Sequence, residues 1–202
     1  MPPILVGIDE AGRGALAGPV VAGAVLFPEN LDHKQHQEII SQITDSKLMG
    51  AKQRERCFVW IVTNCIYGVG ISSSQTIDEI GIKPANHEAM KKALFQITKK
   101  QSVELVQIDG NDKFKFSVPS EDIVGGDGKI LEISAASIIA KVTRDQLMAD
   151  MDIKYPGFGF LENKGYGTKK HREELEYLNY CAEHRKSYEP LKTRLNQHRL
   201  PL

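Results

Sequence analysis

The stretch GIDEAGRGALAGPVVAGAV, residues 7–25, joins two short apolar segments through a loop rich in glycine. Residues 4–8 just before the loop are β-branched or apolar apart from one glycine, and residues 20–27 form a second apolar run. Short runs of this kind, bounded by glycine and proline, are typical of strands. We therefore predict two neighbouring strands near the start of the chain, joined by a connection of hairpin length.

The rest of the chain alternates predicted helices with short strands. The patterns predict helices near residues 50–66, 75–80, 84–100, 130–151 and 169–181, and strands at 67–73, 103–108 and, more weakly, 114–118. Asp45-Ser46 is a candidate N-cap for the first of these helices, and residues after 181 form a polar tail. We predict an α/β fold with a mixed β-sheet flanked by helices and a small helical segment at the C-terminal end.

The composition excludes several classes of protein. The chain has 202 residues, of which 26 are Lys or Arg and 26 are Asp or Glu, so its net charge is zero. No apolar run approaches the roughly 18–20 residues that a membrane span requires, and the first residues lack the features of a secretory signal. We expect a cytoplasmic protein without a membrane partner, whose three cysteines are reduced.

Acidic residues follow two of the predicted strands. Asp9 and Glu10 come directly after the first strand, Asp109-Gly110 follows the strand at 103–108, and Asp127 lies in the glycine-rich loop GGDGK. Adjacent carboxylates repel one another and are costly to bury, so a cation should neutralise them. Oxygen ligands of this type suit Mg²⁺ or Mn²⁺. Taken singly, Asp109 and Asp127 could equally be turn residues, and the pair 9–10 could be a salt-bridged surface.

Gly12-Arg13-Gly14 lies beside the acid pair. Glycines let a ligand approach the backbone N–H groups, and arginine supplies a planar cation, so the segment favours binding of a phosphate group. The alternative is a hairpin turn in which glycine serves only for its positive φ. The glycine spacing and the strand that follows do not match a dinucleotide-binding loop.

Two further groups of residues could belong to the site. Ser134, Ser137, Lys141 and Asp145 recur at helical spacing on one stripe of the helix predicted at 130–151. Asp145 could lie near the metal, or Lys141 and Asp145 could form an ordinary i,i+4 salt bridge. The segments 164–168 and 184–188 combine cations, hydroxyls and aromatic rings, a mixture that contacts sugar-phosphate backbones, although each alone could be a solvated loop.

Together these segments closely resemble bacterial ribonuclease HII, the type 2 ribonuclease H, along almost the whole chain. The resemblance rests on residues 7–25, on DSK (45–47), IDGN (108–111), GDGKILEISAASIIAKVTRD (126–145), KGYGT (164–168) and HRKSY (184–188). The first and fourth long blocks are highly specific. The resemblance implies a ribonuclease H-like catalytic core over residues 1–152, with residues 153–202 completing the substrate groove of a single compact domain.

The resemblance also implies an activity: cleavage of the RNA strand of RNA–DNA hybrids and incision beside ribonucleotides embedded in duplex DNA, leaving a 3′-hydroxyl and a 5′-phosphate. We expect two Mg²⁺ or Mn²⁺ ions and a monomeric enzyme. The implied catalytic and metal-binding residues are Asp9, Glu10, Asp109 and Asp127. The implied substrate-binding residues are Gly12, Arg13 and Gly14 at the 2′-hydroxyl, Tyr166 at the sugar, and Lys47, Lys164, Thr168 and Arg185 at phosphates.

The sequence departs from the family pattern at three positions. Ala15 stands where proline is usual, Gly125 where lysine is usual, and Asn163 where histidine is usual. Loss of the lysine and of the histidine could weaken contacts with phosphate or substrate, but none of the three departures removes a carboxylate. Two alternative functions are a nucleic-acid-binding module without activity, which the intact acid set disfavours, and a DNA-directed nuclease of related fold, which would not need the 2′-hydroxyl sensor.

Overall fold

The computed structural model describes residues 3–197 and places a five-stranded mixed sheet at the centre of the molecule. The strands are β1 (Leu5–Ala11), β2 (Val20–Leu26), β3 (Ile66–Ser72), β4 (Leu105–Asp109) and β5 (Ser120–Ile123), in the spatial order β3-β2-β1-β4-β5. The first three strands form an antiparallel meander, and β4 and β5 add in parallel beside β1. The α/β fold with a mixed sheet is therefore confirmed.

Helices cover both faces of this sheet. They are α1 (Gln37–Ile40), α2 (Ala51–Asn64), α3 (Ser74–Ile80), α4 (Ile82–Thr98), α5 (Leu131–Lys154), α6 (Phe160–Asn163), α7 (Lys169–Leu178) and α8 (Leu191–Gln197). None of these described helices is both long and apolar enough to cross a membrane.

The alternation of side chains along β1 decides which residues face which helix. Val6 and Ile8 pack into a buried cluster with the apolar face of α4. Gly7 lies against the backbone of α5 on the other face, so closely that a Cβ there would overlap Glu132. Because successive residues of a strand point to opposite faces, Asp9 continues the α5 face and Glu10 continues the α4 face.

The C-terminal segment packs against the connection between β1 and β2. Phe158, Phe160 and Leu175 form another buried cluster with Ala17 and with Met148 of α5. Ala17 also forms a β-bridge with His184. These contacts bring the segment around Tyr166 beside the glycine-rich loop that leaves β1.

Several predicted elements were wrong in detail. Residues 114–118 do not form a strand, because Phe114 and Phe116 pack their rings against His87 of α4, and the strand lies instead at Ser120–Ile123. The polar tail contains α8, which begins at the buried Leu191. The residue at the N-cap of α2 is Gly50, without a side-chain cap.

Candidate active site

Three carboxylates meet at one edge of the sheet. Asp9 lies on β1, Asp109 ends the parallel neighbour β4, and Asp127 lies in a 3₁₀ turn at Gly126–Gly128. One oxygen from each lies within 4.8 Å of the others. The backbone N–H of Gly126 donates to Asp109 Oδ1 at 2.7 Å, which ties the turn to the end of β4. We call these three residues the carboxylate cluster.

The electrostatics of this cluster favour a bound cation. Burial raises the pKa of Asp9 well above its usual value, and repulsion from Glu10 and Asp109 raises it further. The exposed side chain of Lys47 reaches only one member, with its Nζ 3.2 Å from Asp127 Oδ2. Buried oxygens that repel each other fit a hard divalent cation, which would remove the repulsion. The residues present therefore fit Mg²⁺ or Mn²⁺.

Glu10 is adjacent to this cluster in sequence but points to the opposite face. Its Oε1 lies 3.3 Å from Arg13 Nη1, and its Oε2 is buried without a hydrogen-bond partner among the described residues. Burial is the largest cause of the raised pKa of Asp9, and repulsion from the charge of Glu10 is the next largest. The structure therefore brings together three of the four predicted acids and places the fourth at their margin.

Two arginine side chains pack against the inner side of the loop that follows β1. Gly12 has φ of +94°, and a Cβ there would overlap the guanidinium of Arg144. Arg185 donates to the carbonyls of Gly12, Arg13 and Gly18 at 2.7–3.1 Å. On the outer side, a Cβ at Gly14 would meet nothing within 4 Å, so this part of the loop is open to a ligand.

Arg185 was predicted to bind phosphate, and its position does not agree with that role. It is fully buried, and three backbone carbonyls occupy its donors. A planar guanidinium with five donors can bind several carbonyls at once, which explains why arginine is used inside this loop. Arg185 therefore shapes the loop rather than contacting solvent.

Arg144 has a similar role, which the sequence did not predict. Its guanidinium is buried and donates to the carbonyls of Ala17, Pro19 and Lys164 at 2.8–3.1 Å. Burial lowers its pKa to about 10. The side chain also lies 5.3 Å from the ring of Tyr166. A lone arginine in a helix rich in small apolar residues was the only available sequence signal.

The predicted residues of the segment 164–168 lie beside this loop. Tyr166 is 39% exposed, so part of its ring is available to a ligand. Thr168 is the N-cap of α7, and its hydroxyl accepts from the N–H of His171 at 3.2 Å. The carbonyl of Lys164 binds Arg144, and that of Gly165 accepts from Leu16 N–H at 2.7 Å. The segment is thus docked directly on the β1–β2 connection.

The polar stripe of α5 divides into two parts. Ser134 Oγ donates to the carbonyl of Asp127 at 2.7 Å, and Ser137 lowers the pKa of Asp9, against the larger effect of burial. These two serines support the carboxylate cluster. Lys141 and Asp145 pair with each other at 2.7 Å, as the salt-bridge alternative predicted, and Asp145 is not part of the cluster.

The three departures from the family pattern have local explanations. Asn163 donates to Phe158 O at 2.6 Å and accepts from Gly165 N–H at 2.7 Å, so it stabilises the turn before Tyr166. Gly125 has φ of +64°, a conformation that glycine adopts without strain. Ala15 is buried within the loop, and its N–H, which proline lacks, donates to the carbonyl of Gly12 at 3.3 Å.

Comparison with known proteins agrees with this geometry. The family model for ribonuclease HII matches residues 6–190. Ribonuclease HII of Bacillus mycoides (strain KBAB4) is 45% identical over 189 residues, covering 93% of this chain and 70% of that protein. The crystal structure of ribonuclease H2 from Pyrococcus horikoshii OT3 superposes with a TM-score of 0.76 at 25% identity, covering 98% of this chain and 99% of that one.

A more distant structure shares the fold. Bst-RNase HIII, solved in complex with Mn²⁺, has a TM-score of 0.67 and 15% identity over 98% of this chain and 70% of that one. The fold and the carboxylate cluster define a metal-dependent endoribonuclease of the ribonuclease H class. Within that class, the chain belongs to the ribonuclease HII family, whose activity is directed at the RNA of RNA–DNA hybrids.

Proposed function

We propose that this enzyme cuts the RNA strand of RNA–DNA hybrids and also incises at single ribonucleotides embedded in duplex DNA. It leaves a 3′-hydroxyl and a 5′-phosphate. The observation that carries the proposal is the chain path from Asp9 into Gly12-Arg13-Gly14, which places a candidate sugar sensor three residues from a metal-binding carboxylate. Recognition of one 2′-hydroxyl can therefore be coupled to cleavage beside it.

The roles of the residues follow from their positions. Asp9, Asp109 and Asp127, with Glu10 at their margin, would hold two Mg²⁺ or Mn²⁺ ions. When bound, such ions activate water and stabilise the departing 3′ oxygen. Lys47 is exposed beside Asp127, so its ammonium can hold a phosphate there, and Lys164 and Thr168 are further candidates for backbone contacts. Tyr166 would pack against the sugar.

The selectivity against DNA would come from the loop and Tyr166 together. The carbonyls of Gly12 and Arg13 point inward to Arg185, and Gly14 is open on the outside. A site built to hydrogen-bond a substrate hydroxyl rejects an analogue without it by about 10⁴-fold or more. The candidate 2′-hydroxyl sensor, formed by the loop and Tyr166, favours a ribonuclease over a DNA-directed nuclease. The assembled carboxylate cluster favours an enzyme over a binding module.

A direct experiment compares two duplexes that differ by one 2′-hydroxyl. A DNA duplex with one ribonucleotide and the matching all-DNA duplex are incubated with Mg²⁺, with Mn²⁺ and with chelator. We expect cleavage of the first duplex alone, dependent on metal, with a 3′-hydroxyl on the product. Equal cleavage of both duplexes, or cleavage that survives chelation, would contradict the proposal. The rates in the two metals give the preferred ion.

We also propose that the enzyme acts as a monomer. The carboxylate cluster, the loop and Tyr166 all come from one chain, so the candidate site needs no residue from a second copy. Light scattering after size exclusion tests this, and a dimer whose dissociation abolishes cleavage would contradict it.

A further inference from the structure

A second polar cluster lies on the α4 side of the sheet. It contains Glu10, Arg13, Asn86 and Asp112, and we call it the α4 cluster. Val6 and Ile8 face α4, so the alternation of β1 directs Glu10 to the same helix. Asn86 lies in the second turn of α4 and is fully buried. A helix and a strand thus bring an amide to the margin of the carboxylate cluster.

Three polar atoms of this cluster are buried without a hydrogen-bond partner in the described part of the chain. Neither Asn86 Nδ2 nor Oδ1 makes a hydrogen bond within the described residues, and Glu10 Oε2 is also buried and unpaired there. Buried polar groups of this kind are almost always hydrogen-bonded in folded proteins. Glu10 faces α4 and Asn86 is buried on α4, so the unpaired amide and the unpaired carboxylate oxygen lie on the same side of the sheet.

The other oxygen of Glu10, Oε1, belongs to a network of salt bridges. Arg13 Nη1 lies 3.3 Å from Glu10 Oε1 and 2.7 Å from Asp112 Oδ2. Asp112 Oδ1 in turn lies 3.0 Å from the Nζ of Lys83, one turn before Asn86 on α4. Arg13 therefore has a fixed position between two carboxylates, and one of these is anchored to α4.

We propose that Asn86 is a positioning residue for Glu10: its unpaired amide donates to the unpaired Oε2 when Glu10 turns to hold metal, while Arg13, braced by Asp112, holds Oε1. Asn86 and Arg13 together set the direction in which Glu10 presents its carboxylate to the metal-binding carboxylates. Asn86 itself touches neither metal nor substrate. This inference rests on the proposed function, because it assigns Glu10 a part in metal binding.

The first experiment measures Mn²⁺ binding to the substrate-free protein by electron paramagnetic resonance. Asn86→Leu keeps the approximate size of the side chain and removes its hydrogen-bonding atoms. We expect Mn²⁺ binding to weaken about 10-fold, the usual effect of removing a group that orients a metal ligand. Glu174→Gln is the control, because Glu174 Oε2 is also buried and unpaired among the described residues but lies on α7, outside both the carboxylate cluster and the α4 cluster. Its Mn²⁺ affinity should match that of the wild type.

Cleavage assays separate positioning from a loss of folding. For Asn86→Leu the Mg²⁺ concentration giving half-maximal rate should rise about 10-fold, while kcat at saturating Mg²⁺ returns close to the wild-type value. Asp112→Asn, a change outside the core, should move the Mg²⁺ requirement in the same direction by releasing Arg13. If Asn86→Leu does not fold, Asn86→Ala, which also removes the amide, makes the same comparison.

A double variant supplies the decisive result. If Asn86 acts only through Glu10, then Asn86→Leu added to Glu10→Gln should change Mn²⁺ affinity by less than about 2-fold. Unchanged Mn²⁺ binding in folded Asn86→Leu, or an additive loss in the double variant, would overturn the inference. Failure of the proposed function would appear elsewhere, as wild-type protein that does not cut the ribonucleotide-containing duplex.

Discussion

The Nε2 atoms of His171 and His184 lie 3.1 Å apart in the interior of the C-terminal segment. Nδ1 of His184 accepts from the N–H of Cys181 at 3.1 Å, so this ring carries its proton on Nε2 and donates it to His171. His171 then donates from Nδ1 to the carbonyl of Tyr166 at 2.9 Å. The chain of hydrogen bonds requires both rings to be neutral and links α7 to the segment that bears Tyr166.

The histidine pair predicts a loss of stability in mild acid. Burial, and then repulsion from His171, lower the pKa of His184 to about 4, below its ordinary value of 6.5. As the pH falls, the unfolded chain therefore protonates this residue before the folded chain does. The stability that the neutral His184 ring contributes is complete above pH 6.5 and is lost as the pH falls toward 4. At pH 5 the loss from this residue is on the order of 2 kcal/mol.

Urea unfolding at pH 7.5 and pH 5 tests this, with His184→Gln as the comparison. The variant should be less stable at pH 7.5, because it loses the ring, but should lose less stability than the wild type between the two pH values. Acids such as Asp9, whose pKa is raised chiefly by burial, have the opposite pH dependence and are present in both proteins, so they cancel in the difference. Equal pH dependence in both proteins would show that His184 is not the titrating group.

Asp109→Asn should abolish cleavage without unfolding the protein. The variant removes one member of the carboxylate cluster and also one source of the repulsion that raises the pKa of buried Asp9. We expect turnover to fall at least about 1000-fold, with an unchanged or higher melting temperature and little change in hybrid binding measured by fluorescence anisotropy. Glu121→Gln, an exposed acid on β5, is the matched control. An unfolded Asp109→Asn protein would instead make the residue structural.

Arg185→Lys should fail to preserve the loop. A lysine keeps the charge but cannot reproduce the guanidinium's bonds to Gly12, Arg13 and Gly18. We expect a loss of about 3 kcal/mol in the free energy of unfolding and an unchanged salt dependence of substrate binding. Lys47→Ala, by contrast, should lower the slope of log affinity against log salt concentration by about 1 without destabilising the fold. Nearly full activity and stability in Arg185→Lys would support direct phosphate binding instead.

Tyr166→Ala should affect single-ribonucleotide substrates most. The ring lies beside Arg144 and is partly open. Its loss removes a contact to one sugar that is worth on the order of 1 kcal/mol, or about 5-fold in rate, where only one ribose is present. A long hybrid offers many registers and should lose less. Tyr166→Phe keeps the ring and separates packing from the hydroxyl. Equal rates for wild type and Tyr166→Ala on the single-ribonucleotide duplex would remove Tyr166 from the sensor.

The acids could be found from sequence because they follow strands. Asp9 and Asp109 each come at the end of an apolar run, and parallel strands place such residues at one edge of a sheet. The alternation along β1 also follows from sequence, but which helix Glu10 faces depends on how the helices pack on the sheet. Only their packing shows that Val6 and Ile8 face α4, so that Glu10 does too.

The amino-acid sequence by itself determined the fold class, the family and the acids of the site, because strand patterns, glycine turns and long specific blocks are local features. The tertiary structure alone decided which polar groups are inside. Arg144 and Arg185 read as ordinary cations in sequence, yet both lie buried under the loop that follows β1, bound to its carbonyls. Asn86 likewise lies buried on the helix that Glu10 faces, 76 residues further along the chain. Burial and distant hydrogen bonds depend on how elements pack, and no local pattern encodes that.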